Sequence, residues 1–260
     1  MSTQTDAKTN LPFQAVFRKW LLGLTSVVEI QQHYVIASAI SDQSMVLDLG
    51  ANVGDFAGQM IARFGCQVLA VEPEQTNFDS IPNHPKLRKF RGAVGGTCGH
   101  FGVQISRDPT GHRLGALASA NAGVATEQVV AVHDFSSLVA LAGVRQIDVM
   151  KIDVEGCEWD WLDTITDPQL LAISQLTIEF HDFLPEYRES NRTWPAYKRL
   201  IGLGFHCIED PVFGSYNVLF VNPRLKARKF ADRAFIPLLG LLLRITWKSQ
   251  RLFIRFSASA

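Results

Sequence analysis

The 260-residue chain is poor in cysteine, lacks a charge-free run long enough to span a membrane, and has no net charge. Its four cysteines, Cys66, Cys98, Cys157 and Cys207, are irregularly spaced and none belongs to a C-x-x-C pair. That spacing argues against a zinc site and against a disulfide framework. It predicts reduced thiols, with Cys66 and Cys207 in core strands. No internal repeat is present, and the G-x-G-x-x-G fingerprint of dinucleotide-binding turns is missing. What remains is 47% hydrophobic and 19% charged, the composition of a folded globular protein.

The neutral balance hides a division. Between Arg224 and Arg255 stand nine Lys/Arg and one acid, Asp232, so an acidic body carries a basic tail. In the tail, "FIPLLGLLLRITW" is apolar, but Arg244 closes the run from Ile236 after eight residues. A span needs roughly twenty. Downstream, "KSQRLFIRF" alternates basic and bulky apolar side chains, the pattern of a helix lying in a membrane interface or, alternatively, packing on the acidic body or a second subunit. At the other end, Phe13, Phe17, Trp20, Leu21, Leu24 and Val28 recur at three and four, which predicts an amphipathic helix. A basic pair deep in the chain and Glu29 in the apolar stretch argue against a secretory signal.

From residue 41 strands alternate with helices. Short apolar strands are expected at 44–49, 66–73, 86–95, 146–156 (running into a turn) and 174–181, helices at 53–65 and 194–204, and a closing strand pair at 205–210 and 215–223. A hairpin strand is expected at 100–106 and an edge strand followed by a helix at 127–143. Such alternation implies a mainly parallel sheet covered on both faces, with its ligand beyond the carboxyl ends of the strands.

At one such end lies "VLDLGANVG", residues 46–54. Asn52 stands where a dinucleotide turn has the glycine that admits a pyrophosphate, so a ligand without phosphate fits better. S-adenosylmethionine is such a ligand. Gly50 would allow the tight turn, and Gly54 the close packing of the next helix. Asp48 would accept from the turn or face the ligand's ammonium. Glu72, ending the second strand, can accept both ribose hydroxyls. A second strand end, "MKIDVEGCEWD", places Lys151, Asp153, Glu155 and Glu158 in apolar surroundings, and residues 151, 153 and 155 would share one strand face. A Lys151–carboxylate pair could simply neutralise itself. A third end, "LTIEFH", places Glu179 and His181 on one face.

"VLDLGANVGDF", "VEP", "GAVG", "MKIDVEGCE" and "LTIEFH" stand in the order found in FkbM-type S-adenosylmethionine-dependent methyltransferases, which the chain resembles over about residues 44–222. The resemblance implies an α/β class I methyltransferase fold, Rossmann-like, with a seven-stranded mostly parallel sheet, helices on both faces and an antiparallel last strand. It implies S-adenosylmethionine as cofactor, lined by Asp48, Gly50, Asn52, Gly54, Glu72, Ala93, Val94 and Asp153. Asp153 and Glu155 would lie beside the methyl donor. The reaction would be O-methylation of a hydroxyl, often on a sugar.

A sugar hydroxyl is a weak nucleophile, so a base is expected among Asp153, Glu155, Glu179 and His181. His181 has the best unperturbed pKa, with Glu179 orienting it or binding a substrate hydroxyl. A metal bound by Asp153, Glu179 and His181 is possible in principle, but nothing in their spacing demands one, and none is assigned. His33 and the remaining histidines have no partner motif. The organisation expected is a helical extension over 1–40, the methyltransferase domain over 41–222 and a basic amphipathic tail over 223–260. The partner expected is a hydroxyl-bearing acceptor, a glycan or lipid-linked sugar, and not nucleic acid. A cytoplasmic protein, peripheral at the inner membrane face, fits that tail. A non-catalytic S-adenosylmethionine-fold module and a nicotinamide-dependent dehydrogenase are the rival classes, the latter disfavoured by Asn52.

Overall fold

The computed structural model describes residues 20, 22–95, 99–104, 127–183, 192–210, 214–225, 229–239 and 241. Its centre is a seven-stranded sheet. The strands are β3 (Met45–Leu49), β4 (Gln67–Glu72), β5 (Leu87–Arg91), β9 (Val149–Ile152), β10 (Gln175–Glu179), β11 (His206–Asp210) and β12 (Gly214–Val221). They lie in the order β11-β12-β10-β9-β3-β4-β5. Pairing is parallel from β10 through β9, β3 and β4 to β5, and β12 runs antiparallel between β10 and β11. All five residues of β3 are buried, as a central strand covered on both faces requires.

Alternation along the strands feeds two cores. Leu47, Leu49, Met150 and Ile152 pack with Phe135 and Leu138 of α3 (Phe135–Ala142), Trp159 and Trp161 of α4 (Glu158–Thr164), and Tyr197 and Leu200 of α6 (Thr193–Gly202). On the opposite face, Val46, Val68 and Val149 pack with Phe56, Ala57, Met60 and Ile61 of α1 (Asp55–Phe64). Gly65 ends α1 in the left-handed conformation and donates its N–H to Ile61 O. Short helices α2 (Gln75–Ser80) and α5 (Asp167–Leu170) fill the connections. Cys66 and Cys207 are buried free thiols, as expected, while Cys98 lies outside the described residues.

Two expectations are corrected. The N-terminal helical pattern was extended to Val28, but Val27–Ile30 and His33–Ile36 form an antiparallel hairpin, β1 and β2. The β-branched run Val27–Val28 and a two-residue turn decide this: Gln31 and Gln32 both have positive φ, the geometry that matches hairpin twist. The periodic residues before Trp20 lie outside the described residues. Second, the strand expected over 86–95 is two elements. β5 stops at Arg91, and β6 (Ala93–Val94) joins a separate three-stranded sheet with β8 (Glu127–His133) and β7 (Gly99–Gln104).

The hairpin is fastened to the sheet from two sides. Gln175 on β10 is fully buried and its Oε1 accepts from Ile36 N at 2.6 Å. A helical segment over 230–239 sets Ile236 and Leu239 against Ile36, Ile208, Leu219 and Val221. Its Asp232, also fully buried, accepts from Ser26 N at 2.6 Å, from Ser26 Oγ at 2.5 Å and from Ser38 Oγ. The first turns of the basic tail therefore pack on the body. The basic-apolar stretch from Lys248 lies outside the described residues, and among those described no helix is long and apolar enough to cross a membrane.

Candidate active site

A cleft of about 310 Å³ opens beyond the carboxyl ends of β3, β9 and β10. Its wall holds Gly50–Val53, Asp55 and Phe56 from the turn into α1, Lys151, Asp153 and Glu155 from the end of β9, Glu179 and His181 from the end of β10, and Gln31–His33 from the hairpin.

The turn has left-handed backbone at Gly50, Asn52 and Gly54. Gly50 is dictated by a neighbour: a Cβ there would stand 1.7 Å from the carbonyl oxygen of Asp153. The absent side chain lets the ends of β3 and β9 touch. Gly54 caps α1, and a Cβ on it would meet Ile81 at 3.0 Å. Glu72 does not face the cleft. Its carboxylate lies under the turn and accepts from Asn52 N at 2.8 Å and Glu74 N at 2.9 Å. Burial pushes it up to about 7, against the pull of those two N–H groups and of Lys151. Ala93 and Val94, expected beside the cofactor, are buried in β6 and stand outside the cleft wall.

Below the turn, Asp48, Lys151 and Thr177 stand in register on three adjacent strands. Lys151 Nζ donates to Gly50 O at 2.7 Å and lies 3.4 Å from Asp48 Oδ1 and 3.2 Å from Asp153 Oδ2. Burial alone would lower this ammonium's pKa, but the two carboxylates overcome that and raise it. Asp48, fully buried, is raised by desolvation despite Lys151. It is a counter-ion beneath the floor rather than part of the wall. Asp153 goes the other way: burial would raise it, and Lys151, His33 and His181 together hold it well below the usual carboxylate range. The self-neutralising pair is thus real for Lys151 and Asp48, while Asp153 keeps one oxygen for the cleft.

The strand ends at Ile152, so alternation does not carry Glu155 to the face of Lys151 as expected. A left-handed turn at Glu155 (φ 52°) and Gly156 (φ 95°) lines it into the cleft instead. Glu158, fully buried at the start of α4, accepts through Oε1 from Val154 N, Gly156 N and His181 Nδ1, the last at 2.9 Å. It ties the turn after β9 to the end of β10. His181 Nε2 is thereby pointed at Glu155 Oε2, 3.3 Å away, and Asp153 Oδ1, 3.8 Å away.

Burial would depress His181, but Glu158, Glu155 and Asp153 outweigh it and lift the imidazole to about 9. Those carboxylates favour the protonated ring, which brings Glu179 forward beside His181 as a candidate base. Burial raises Glu155 to about 7, and desolvation also raises Glu179.

His33 was read as having no partner and is instead a buried wall residue. Its Nδ1 lies 3.2 Å from Thr177 Oγ1, its ring meets Phe56 edge-on, and Nε2 points to Asp153 Oδ2 at 3.8 Å. Gln31 and Gln32 were missed too. No sequence motif marks them, because a hairpin outside the alternating domain delivers them. The charge count around "MKIDVEGCE" could have signalled that a polar partner such as His33 was wanted.

The turn fits S-adenosylmethionine. The turn residues Gly50–Val53 in the cleft wall, a carboxylate beneath Asn52, and acids at the strand ends suit an adenosine and a charged amino-acid group better than a pyrophosphate.

Comparison with known proteins agrees with the geometry. The chain matches the family model "Methyltransferase FkbM domain" over residues 48–201. No curated protein matches the sequence. Among solved structures, it is similar in fold to fibrillarin from Aeropyrum pernix, which was solved with S-adenosylmethionine bound: 10% identity, 78% of this chain and 73% of that chain covered, TM-score 0.40. It is likewise similar to a precorrin-6y C5,15-methyltransferase from Geobacter metallireducens (10% identity, 82% and 90% covered, TM-score 0.36). A human methyltransferase 10 domain containing protein gives 9% identity, 81% of each chain and TM-score 0.38. With the FkbM match covering more than half its length, the chain belongs to the FkbM methyltransferase family and is an S-adenosylmethionine-dependent methyltransferase.

Proposed function

We propose that the protein methylates a hydroxyl of a sugar or glycan. The observation that carries this reading is the wall of the cleft. Four carboxylates, two imidazoles and three carboxamides line it, and among the described residues Phe56 is the one aromatic ring besides the histidines. Such a wall suits a small polyhydroxylated acceptor, which offers many donors and acceptors. It does not suit a stacked base, which needs aromatic platforms.

When bound, S-adenosylmethionine supplies an electrophilic methyl group on a sulfonium. Gly50, Asn52 and Gly54 would shape the turn that holds it, Glu72 would brace that turn from below through Asn52 N, and Asp153 would face its charged end. The acceptor oxygen must lose a proton as it attacks. Asp153 is engaged by Lys151, Glu155 by His181, and His181 by Glu158. Glu179 lines the cleft with no such contact and serves as the proton acceptor. Glu179→Gln should lower kcat by about two orders of magnitude while S-adenosylhomocysteine binds as in the parent. Full turnover in that variant would remove Glu179 from the mechanism.

The acceptor is membrane-borne in this reading. Trp20, Leu24, Phe230 and Leu241 are exposed on the two terminal segments, and the basic-apolar stretch follows directly. They support a protein held peripherally at the inner membrane face, acting on a lipid-linked sugar.

A further inference from the structure

We propose that Asp153, Glu155 and His181 form a binding site for a divalent cation. One oxygen or nitrogen from each lies within 4.8 Å of the other two. The measured separations to His181 Nε2, 3.3 and 3.8 Å, approach those of ligands on a single ion. Ligand atoms about 2.1 Å from a cation stand roughly 3.0–3.4 Å apart.

The surrounding contacts are those a metal site needs. Glu158 holds His181 Nδ1 at 2.9 Å, which fixes the ring and aims Nε2 into the cleft. A carboxylate behind a ligating imidazole is the usual means of orienting one. Lys151 occupies Asp153 Oδ2 at 3.2 Å and leaves Oδ1 free on the side of His181. The same contact decides against the other cluster, His33, Asp153 and Glu179, because His33 approaches the oxygen that Lys151 already holds.

Charge points the same way. Four carboxyl groups, Asp153, Glu155, Glu158 and Glu179, gather around Lys151 and His181, and a divalent ion at Nε2 would take the place of the imidazole proton. Buried charge on this scale calls for a counter-ion. Two carboxylates and one imidazole suit a first-row divalent ion such as Mn²⁺ and leave coordination positions open. An acceptor hydroxyl bound there would lose its proton more readily. That role rests on the methyl-transfer reading; the site itself does not.

Titration of the full chain with Mn²⁺, followed by the loss of the free-ion electron paramagnetic resonance signal, tests the site. The expected result is one saturable ion per chain, with affinity falling at least about tenfold in Glu155→Gln and in His181→Gln, and also in Glu158→Gln. His33→Gln should bind as the parent. Melting curves show which variants fold, and Glu155→Gln, altered in a partly exposed turn, decides the matter if the His181 variant does not. Absence of saturable binding, unchanged affinity in folded Glu155→Gln, or a loss that follows His33 instead would overturn the assignment. S-adenosylhomocysteine binding without Mn²⁺ binding would sink the metal site alone. Mn²⁺ binding without S-adenosylhomocysteine binding would sink the methyl-transfer reading and leave the metal site standing.

Discussion

Glu72 shows how one residue couples the turn to its ligand. Its carboxylate is buried under Asn52 and Glu74, and desolvation pushes it up to about 7. Its folded pKa is therefore above its unfolded value. The contribution to stability is present at acid pH and is lost as pH rises through about 7. Ligand binding has the opposite sign. The ionised carboxylate holds Asn52 N, and with it the binding turn, more firmly than the neutral acid, so S-adenosylhomocysteine should bind more tightly as pH rises through about 7 and level off above it. Calorimetry should show a roughly tenfold gain between about pH 6 and the plateau. Glu72→Gln should abolish the dependence. A parent affinity flat across that window would mean Glu72 does not change its proton on binding.

At the scale of elements, the terminal segments are joined to each other through Asp232, which accepts from the backbone and hydroxyl of Ser26 and from Ser38. Asp232→Ala should cost about 2–3 kcal/mol, because it strands buried donors. For a chain of this size the melting temperature should fall by roughly 5–10 °C. An unchanged Tm would show that this contact does not hold the hairpin. The elements of the central sheet were legible in the sequence because buried parallel strands leave continuous apolar runs, as at Met45–Leu49, and glycines such as Gly65 end helices visibly. The hairpin was not. Val27 and Val28 fit helical spacing as well as a strand, and Gln31–Gln32 lacks the glycine or asparagine that marks such turns. The site was legible to the same extent. "DLGANVG", "KIDVEG" and "IEFH" announced its walls. The pairing of Glu158 with His181 depends on how α4 starts against β10 and leaves no periodic trace. Likewise Gly50 reads as a ligand-binding glycine, whereas its tightest constraint is the carbonyl of Asp153.

At the scale of the whole molecule, an acidic body presents a polar cleft at the carboxyl ends of its central strands and ends in a basic tail. Because 230–239 packs on the body through Ile236, Leu239 and Asp232, the proposed membrane contact rests mainly on the basic-apolar sequence after Leu241. The full chain should co-sediment with anionic vesicles, and a chain ending at Leu241 should do so far less. Added salt should weaken the association. Equal partitioning of both chains would place the basic stretch in packing or oligomer contacts and remove the argument for a lipid-linked acceptor. The claim on which all of this depends is that the turn after β3 binds S-adenosylmethionine above Glu72. Calorimetric titration of the full chain with S-adenosylhomocysteine, and separately with NAD, tests it most directly. One saturable site for S-adenosylhomocysteine, no heat with NAD, and loss of binding in Glu72→Ala are the results predicted. NAD binding in place of S-adenosylhomocysteine, or a folded Glu72→Ala variant that binds it as the parent does, would contradict the account.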